Sequence, residues 1–158
     1  MQKITTFLTF VDQAEEAVEH YTSIFENSRI LSKSYYGEAG PGEQGSLMTA
    51  SFELEGQEFV ALNGGSSFTF SQGISLLVTC ETQEEVDEYW EKLSAGGEPG
   101  PCGWLTDKFG VSWQIVPRAL PQLLGDPDRE KANRVMSAML GMQKIEIAGL
   151  EEAAAAAQ

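Results

Sequence analysis

The chain has 158 residues, 42% of them hydrophobic and 22% charged, which is typical of one soluble globular domain with a sizeable core. It carries 10 Lys and Arg against 24 Asp and Glu, for a formal net charge of -14. So acidic a surface repels phosphate backbones and anionic lipid, and we expect neither nucleic-acid nor membrane binding. We see no secretory signal and no apolar run near the about 20 residues of a membrane span, and therefore expect a cytoplasmic protein.

The first predicted elements are a strand and a helix. Residues 5–11 are β-branched and aromatic with few charges, which is typical of a buried strand. Asp12 is expected to begin the helix, because its carboxylate can accept from free backbone N–H groups and Glu15 follows three places on. Apolar residues then recur at helical spacing and predict one buried face: Ala14, Ala17, Val18, Tyr21, Ile24 and Phe25.

A glycine-rich segment follows a second predicted strand at residues 28–36. Its letters GPGEQG, at residues 40–45, match the spelling G-x-G-x-x-G of loops that bind dinucleotides or S-adenosylmethionine. Such a loop needs a helix to begin on its glycines, so that phosphate meets the helix N-terminus. The next letters, SLMTASFELEG, instead alternate between apolar and polar residues, as a strand does. We therefore interpret the segment as a hairpin loop.

Beyond a Gly/Ser-rich link the pattern starts again. TFLTFVDQAEEAVEHY aligns without a gap on SLLVTCETQEEVDEYW at an offset of 75 − 6 = 69 residues. The second helix has its own capping box, Thr82 with Glu85, and is expected to end at Gly96. Later, EGQEFVALN at residues 55–63 resembles FGVSWQIVP at residues 109–117, with the segment from Asp107 to Gly110 as the turn before it. The chain is therefore predicted to be a duplicated βαβββ module.

The C-terminal part breaks this pattern. A short helix is predicted in RALPQLLG, and Asp126 with Pro127 is expected to open a longer helix that Gly141 ends. The predicted boundaries are a first module at 1–65, a linker at 66–73, a second module at 74–118, C-terminal helices at 119–150 and a tail at 151–158, together one compact domain. The alanine-rich tail is expected to be either a fraying helix or an extension unrelated to the fold, and because its alanines bury little surface we assign it no role. The longer helix has an apolar stripe of Ala132, Val135, Met136, Met139 and Leu140.

Several strings resemble one protein family: FVALNGG, GPCGWLTDKFGVSWQIVP and VMSAMLGM. They are similar to the PhnB-like branch of the vicinal oxygen chelate superfamily, which also contains glyoxalase I, bleomycin resistance proteins and extradiol dioxygenases. The PhnB-like domain often carries the label 3-demethylubiquinone methyltransferase. The resemblance covers about residues 4–150. It implies an α+β fold in which two βαβββ modules form curved, mainly antiparallel sheets around a cleft. It also implies a homodimer, for which the methionine-rich stripe offers an apolar face that could equally pack on its own chain.

The resemblance also bears on metal binding. Metal-using relatives take ligands from the first strand of each module and from a Glu near the end of each last strand. By the internal alignment these positions fall near Thr6, Ser75, Val60 and Gln114, with neighbours such as Phe7 that add no donor. Hydroxyls, a valine and one amide do not supply the imidazole and carboxylate ligands that hold Zn, Fe or Ni. We therefore predict no metal and no cofactor.

The candidate ligand-binding residues are aromatic, apolar and neutral polar side chains, and no catalytic residue can be named. His20, the single histidine, is interpreted as packed on its helix. Free thiols are expected for the two cysteines, with a Cys80–Cys102 disulfide as the less favoured alternative. For Cys102, a packed core thiol is the alternative to a place in the site. The candidates that line the expected cleft are Phe7, Met48, Asn63, Cys102, Trp104, Trp113 and Gln114.

Three functions fit these residues. The first is a metal-independent protein that binds a small organic molecule between the modules. The second is an enzyme of the superfamily, either a transferase acting on a quinone-like compound or a lyase- or dioxygenase-type relative. The third is a purely structural dimeric module. The lack of metal ligands favours the first function over the second, and nothing in the sequence separates the first from the third.

Overall fold

The computed structural model describes residues 2–156, which form two compact units, residues 2–70 and residues 71–156. The division falls inside the predicted linker. The first unit contains β1 (Thr6–Phe10), α1 (Ala14–Ile24), β2 (Ser28–Tyr35), β3 (Leu47–Leu54) and β4 (Gln57–Asn63). The second unit contains β5 (Leu76–Cys80), α2 (Gln83–Ser94), β6 (Glu98–Pro99), β7 (Trp104–Thr106), β8 (Ser112–Pro117), α3 (Ala119–Leu124), α4 (Arg129–Leu140) and α5 (Ile147–Ala155).

Each unit contains one mixed four-stranded sheet with the same strand order. The first is ordered β1-β4-β3-β2 and the second β5-β8-β7-β6, and in both the first and last strands of the module pair in parallel. The remaining neighbours pair antiparallel. The predicted α+β fold with a duplicated βαβββ module is therefore confirmed. The second copy is reduced, because β6 and β7 have only 2 and 3 residues.

The core of the first unit lies between its sheet and α1. Alternate side chains of the strands point towards the helix, as the two-residue period of a strand requires. Tyr21 of α1 stacks on Phe52 of β3 with ring centroids 6.3 Å apart, and Phe52 stacks on Phe59 of β4 at 5.4 Å. Tyr21 and Phe52 have no exposed surface. The predicted apolar stripe of α1 is thus the face that covers the sheet.

The internal alignment needs a one-residue correction in its strands. Ala17 and Val86 are both fully buried, so the offset of 69 residues holds for the helices. In the strands, Phe7 pairs with Val60, and it is Leu77 that pairs with Gln114. Phe7 and Leu77 are also matched in exposure, at 57% and 55%. The offset there is 77 − 7 = 70, because the connection from β5 to α2 is one residue shorter than that from β1 to α1.

The two repeated helices begin differently. Thr82 Oγ1 accepts from Glu85 N at 3.2 Å, so the predicted cap of α2 is confirmed, whereas the Glu85 carboxylate accepts from Glu81 N at 2.9 Å and not from Thr82 N as a full capping box requires. The prediction for α1 was wrong, because its cap is Gln13 and no side-chain bond caps it there. Instead, the amide oxygen of Asn63, at the end of β4, accepts from Ala14 N at 2.8 Å. A residue remote in sequence thus satisfies a backbone donor that Asp12 was expected to satisfy.

The C-terminal helices surround a second core cluster. α4 begins two residues later than predicted. Asp128 caps it by accepting from Glu130 N and Lys131 N, while Asp126 accepts from Asp128 N in the preceding turn. α4 ends before Gly141, as predicted. The cluster consists of Leu120, Val135, Ile145 and Leu150, with Met139 and Met142 packed against it.

The alanine-rich tail is partly helical. α5 continues past residue 150 to Ala155, and Arg134 of α4 donates to the carbonyl oxygens of Ala153 and Ala154 at 3.0 and 2.9 Å. A guanidinium at this end of a helix also suits the helix dipole. The last two residues of the tail lie outside the described residues.

Met136 and Leu140 of the predicted stripe remain exposed, and the homodimer stays a prediction. Between residues 2 and 156, none of the helices combines the length and apolar character needed to span a bilayer.

Candidate functional site

The second unit contains a cavity of about 430 Å³ beside its shortest strands. Its walls come from β6, β7 and the connection between them, from the first residue of β8, and from Gln72 in the segment that precedes β5. This is a volume that suits a small organic molecule. The residues that line it are Gln72, Glu98, Pro99, Gly100, Pro101, Trp104, Leu105, Thr106 and Ser112.

Strand pairing places three of the four polar residues of this lining in one row. Glu98 of β6 pairs with Thr106 of β7, and Thr106 pairs with Ser112 of β8. Directly paired residues project from the same face of a sheet, so these three side chains lie side by side. In the next row, Trp104 of β7 pairs with Gln114 of β8. The structure therefore brings together two predicted site residues, Trp104 and Gln114.

Ser112 is the most deeply buried polar residue of the lining. Its exposure is 3%, and within the described residues its hydroxyl has no hydrogen-bond partner. A buried hydroxyl without a partner costs on the order of 1–3 kcal/mol, so such groups are uncommon in folded proteins. The Ser112 hydroxyl is therefore a ready partner for a polar group of a bound molecule.

Gln114 lies beside the cavity rather than in its lining. Its Nε2 donates to Ser75 Oγ at 2.9 Å, and the side chain is half-buried. This bond fixes the amide on the face of the sheet that also carries Trp104. Gln114 is thus positioned to orient Trp104 or the edge of a ligand.

Trp113, another predicted site residue, lies on the opposite face of β8, in the core. It is 2% exposed, and its indole Nε1 donates to Asp107 Oδ2 at 2.9 Å. Asp107 Oδ1 accepts from the backbone N–H groups of Phe109 and Val111 at 2.9 and 3.0 Å. Trp113 and Asp107 together hold the turn between β7 and β8, which carries Thr106 and Ser112 at its two ends.

Cys102 lies in a tight turn at the start of β7. Cys102 and Gly103 both have positive φ, at 59° and 84°, and Trp104 N donates to Pro101 O at 3.1 Å. Such a turn favours glycine, and at Gly103 a Cβ would lie 3.0 Å from Ile115 O. Cys102 N and Gly103 N donate to Met142 O and Gln143 O, so the turn is bound to the segment after α4. Cys102 is half-buried and is not among the described residues that line the cavity.

Both cysteines are free thiols, as predicted, and Cys80 is fully buried in β5. Burial, with smaller contributions from the Glu85 and Glu81 carboxylates, raises the pKa of the Cys80 thiol from 9.0 to about 12. Burial acts in this direction because it disfavours the charged thiolate. The folded chain therefore holds this proton more tightly than the unfolded chain does.

This pKa shift predicts a loss of stability in alkali. Below pH 9 both states keep the proton and stability is unaffected, whereas between pH 9 and about 12 only the unfolded state releases it. We expect the free energy of unfolding to fall over this range by up to about 1.4 kcal/mol per pH unit more than in Cys80→Ala. Urea unfolding of both proteins at a series of pH values measures the difference, and parallel curves would contradict the prediction.

The three predicted site residues of the first unit differ in their exposure and in their contacts. Phe7 is exposed on β1 and Met48 is half-buried on β3. Asn63 lines a separate cavity of about 300 Å³. Both polar groups of its side chain are already engaged, since Oδ1 accepts from Ala14 N and Nδ2 donates to Leu47 O at 3.2 Å. Asn63 thus joins α1, β3 and β4 within this unit.

The glycine loop at residues 40–45 is a hairpin connection, as predicted, because β2 and β3 pair antiparallel on either side of it. The ring of Tyr36 leaves no room for a side chain at Gly40 or Gly42, whereas Gly45 has a positive φ of 88°. A Cβ at Gly40 would lie 2.6 Å from Tyr36 Cδ1, and one at Gly42 would also overlap that ring. Tyr36 N donates to Ser46 O and Gly45 N donates to Tyr36 O, both at 2.8 Å. The loop fits neither a dinucleotide nor S-adenosylmethionine, because no helix begins on it.

The positions that correspond to the metal ligands of relatives do not fit a metal ion. The predicted positions lie near Thr6, Ser75, Val60 and Gln114, and they offer two hydroxyls and one amide. The residues that pair with Val60 and Gln114 are Phe7 and Leu77, which add no donor atom. From residue 2 to residue 156, no group of three His, Cys, Asp or Glu side chains is placed so that it could hold a metal ion. His20 lies on α1 against the Tyr21 ring, with centroids 5.9 Å apart.

Of the nine lining residues only Trp104 was found from the sequence, and the missed residues include the three that form the polar row: Glu98, Thr106 and Ser112. The sequence contained a signal for two of them. Thr106 lies two positions after Trp104, and Ser112 lies two positions before Gln114. The period of a strand places such residues on one face. Glu98 could not be found in this way, because β6 has 2 residues and too short a pattern to show alternation.

Comparison with known proteins finds one family. The sequence model of the family described as 3-demethylubiquinone-9 3-methyltransferase matches residues 2–116. The PhnB protein of Bacillus cereus is 46% identical over 73% of this chain and 99% of its own, with a TM-score of 0.66. A search of the curated proteins finds no match.

More distant solved structures share the fold. Protein PA1353 from Pseudomonas aeruginosa is 18% identical over 74% of this chain and 98% of its own, with a TM-score of 0.63. The fosfomycin resistance protein FosX of Listeria monocytogenes, solved with Mn(II) and 1S,2S-dihydroxypropylphosphonic acid, is also 18% identical. That similarity covers 78% of this chain and 99% of FosX, with a TM-score of 0.55.

Proposed function

The chain belongs to the family described as 3-demethylubiquinone-9 3-methyltransferase, the PhnB-like branch of the vicinal oxygen chelate superfamily, and we propose that it binds a small organic molecule without a metal ion. The binding site in this proposal is the cavity of the second unit. Trp104 supplies its aromatic wall, and the polar row of Glu98, Thr106 and Ser112 orients the bound molecule.

The observation that carries this proposal is the buried Ser112 hydroxyl beside a half-buried tryptophan. Ligand sites are mostly apolar cavities with a few convergent polar groups, and an aromatic side chain supplies a large contact area at low entropic cost. A purely structural module gains nothing from a buried hydroxyl without a partner. Ser112 therefore favours binding over a structural role.

Metal and methyl-transfer chemistry receive no such support from these residues. The predicted ligand positions near Thr6, Ser75, Val60 and Gln114 offer no imidazole and no carboxylate, and their paired neighbours Phe7 and Leu77 add no donor. The glycine loop that could have held S-adenosylmethionine packs instead against Tyr36. The family description thus names an activity for which the residues described above form no cofactor site.

The proposal is tested by screening small molecules for stabilisation of the protein against heat, with Trp104→Ala as the key variant. A compound at a hundredfold excess over its Kd should stabilise the protein by about 2.7 kcal/mol. Trp104→Ala should weaken binding of the same compound at least tenfold, because an aromatic wall of the cavity is lost. The matched control is Trp90→Ala, since Trp90 is a half-buried tryptophan of α2 outside the cavity, and it should bind as the unmodified protein does.

The same assay distinguishes the rival functions. If no compound stabilises the protein, the binding function is refuted and a structural module is favoured. Stabilisation by Zn²⁺, Ni²⁺ or Mn²⁺ that is lost in Gln114→Ala would refute the metal-independent part. Heat released on titration with S-adenosylmethionine would restore the methyltransferase interpretation. Equal binding by Trp104→Ala and the unmodified protein would place the site elsewhere.

A further inference from the structure

We propose that the cavity of the second unit selects an organic cation, a molecule that carries an ammonium group next to a polar group. This inference rests on the proposed function, since it names the chemical class that the same cavity binds. It derives from the charge of the lining, the position of Glu98 relative to Trp104, and the Ser112 hydroxyl.

The charge of the lining has one sign. Among the described residues that line the cavity, Glu98 alone is charged, and there is no Lys, Arg or His. Within residues 2–156 the Glu98 carboxylate forms no ion pair. An anionic ligand would meet this carboxylate with no cation in the lining to offset the repulsion. A cationic ligand meets an opposite charge that has no ion-pair partner among the described residues.

Strand pairing places Glu98 and Trp104 on the same face at a suitable separation. Glu98 pairs with Thr106, and Trp104 lies two residues before Thr106 on β7, so the two are diagonal neighbours. Diagonal neighbours across antiparallel strands have side chains about 7–8 Å apart, within reach of long and aromatic side chains. An ammonium group between them contacts the carboxylate on one side and the indole face on the other, which combines an ion pair with a cation–π contact.

The remaining polar groups accommodate a neutral hydrogen-bonding group on the ligand. Ser112 is next to Thr106 in the same row, so its buried hydroxyl lies on the far side of that row from Glu98. A hydroxyl or carbonyl on the ligand would provide the partner that Ser112 lacks. The net charge of -14 further favours cations by raising their concentration near the surface.

The test uses two probes of the same shape, choline and 3,3-dimethylbutan-1-ol, in which a carbon atom replaces the charged nitrogen. Their binding is followed through the indole N–H resonance of Trp104 in ¹⁵N-labelled protein, assigned with Trp104→Phe. We expect choline to bind about tenfold more tightly than the alcohol, as a cation–π contact and a partly exposed ion pair together imply. Glu98→Gln should abolish this preference, whereas Glu91→Gln, at an exposed glutamate of α2 outside the cavity, should retain it.

The outcomes separate this inference from the proposed function. Equal affinity for the two probes at Trp104, or a preference unchanged in Glu98→Gln, overturns the selection of cations and leaves binding intact. If neither probe shifts Trp104 while compounds from the thermal screen do, the cation class is again overturned and the proposed function stands. If neither probe nor any compound of the screen affects Trp104, both proposals fail.

Discussion

Replacing Asp107 by Ala should lower the free energy of unfolding by about 4 kcal/mol, the largest loss expected of any change near the cavity. The Asp107 carboxylate is 3% exposed and accepts from two backbone N–H groups and from the Trp113 indole. Alanine would leave three donors without this acceptor, in a turn where water has little access. Urea unfolding followed by circular dichroism measures the change.

Trp113→Phe provides the matched control, because it removes one of the three donors and keeps an aromatic ring in the core. It should cost about 1–2 kcal/mol, the loss of one buried hydrogen bond and some volume. In the double variant the two losses should not add, since Asp107 and Trp113 share one bond. Strict additivity, or a loss below 1 kcal/mol in Asp107→Ala, would show that the carboxylate does not hold the turn.

The sequence predicted only those parts of the site that follow from the alternating pattern of its strands. A turn at residues 107–110 and strands on both sides follow from the order of apolar and polar residues, and the structure confirms them. The burial of Asp107 does not follow, because an aspartate in a turn is more commonly solvated. Its position depends on the Trp113 indole and on two backbone groups that only the folded turn brings together.

The alignment of the two modules from sequence was limited in the same way. Helix positions aligned correctly at an offset of 69 residues, because buried residues such as Ala17 and Val86 recur at fixed spacing. The strand positions were off by one, and in a strand one residue exchanges the two faces. Phe7 and Leu77 therefore correspond in the structure where the ungapped alignment matched Phe7 with Leu76. Pairing with β4 and β8 settles the register, and pairing is not visible in a single sequence.

Replacing Asn63 by Ala should lower the free energy of unfolding by about 3 kcal/mol, because two partners in different elements lose their hydrogen bonds. Ala14 N, the first donor of α1, loses its acceptor, and Leu47 O of β3 loses its donor. We also expect hydrogen exchange of the Ala14 amide to accelerate more than exchange of amides in the middle of α1. Urea unfolding and NMR-detected exchange measure the two effects, and Glu58→Ala, an exposed site on the same strand, should change stability by less than about 0.5 kcal/mol.

Asn63→Asp separates the two bonds. The carboxylate still accepts from Ala14 N, where the positive end of the helix dipole also favours it, so exchange of the Ala14 amide should stay slow. The variant cannot donate to Leu47 O and places an oxygen against that carbonyl, so the protein should still be less stable than the unmodified chain. If the Ala14 amide exchanges equally fast in Asn63→Asp and Asn63→Ala, the side chain of Asn63 is not the cap of α1. The helix would then depend on its apolar face alone, with Ala17, Tyr21 and Ile24 packed on the sheet.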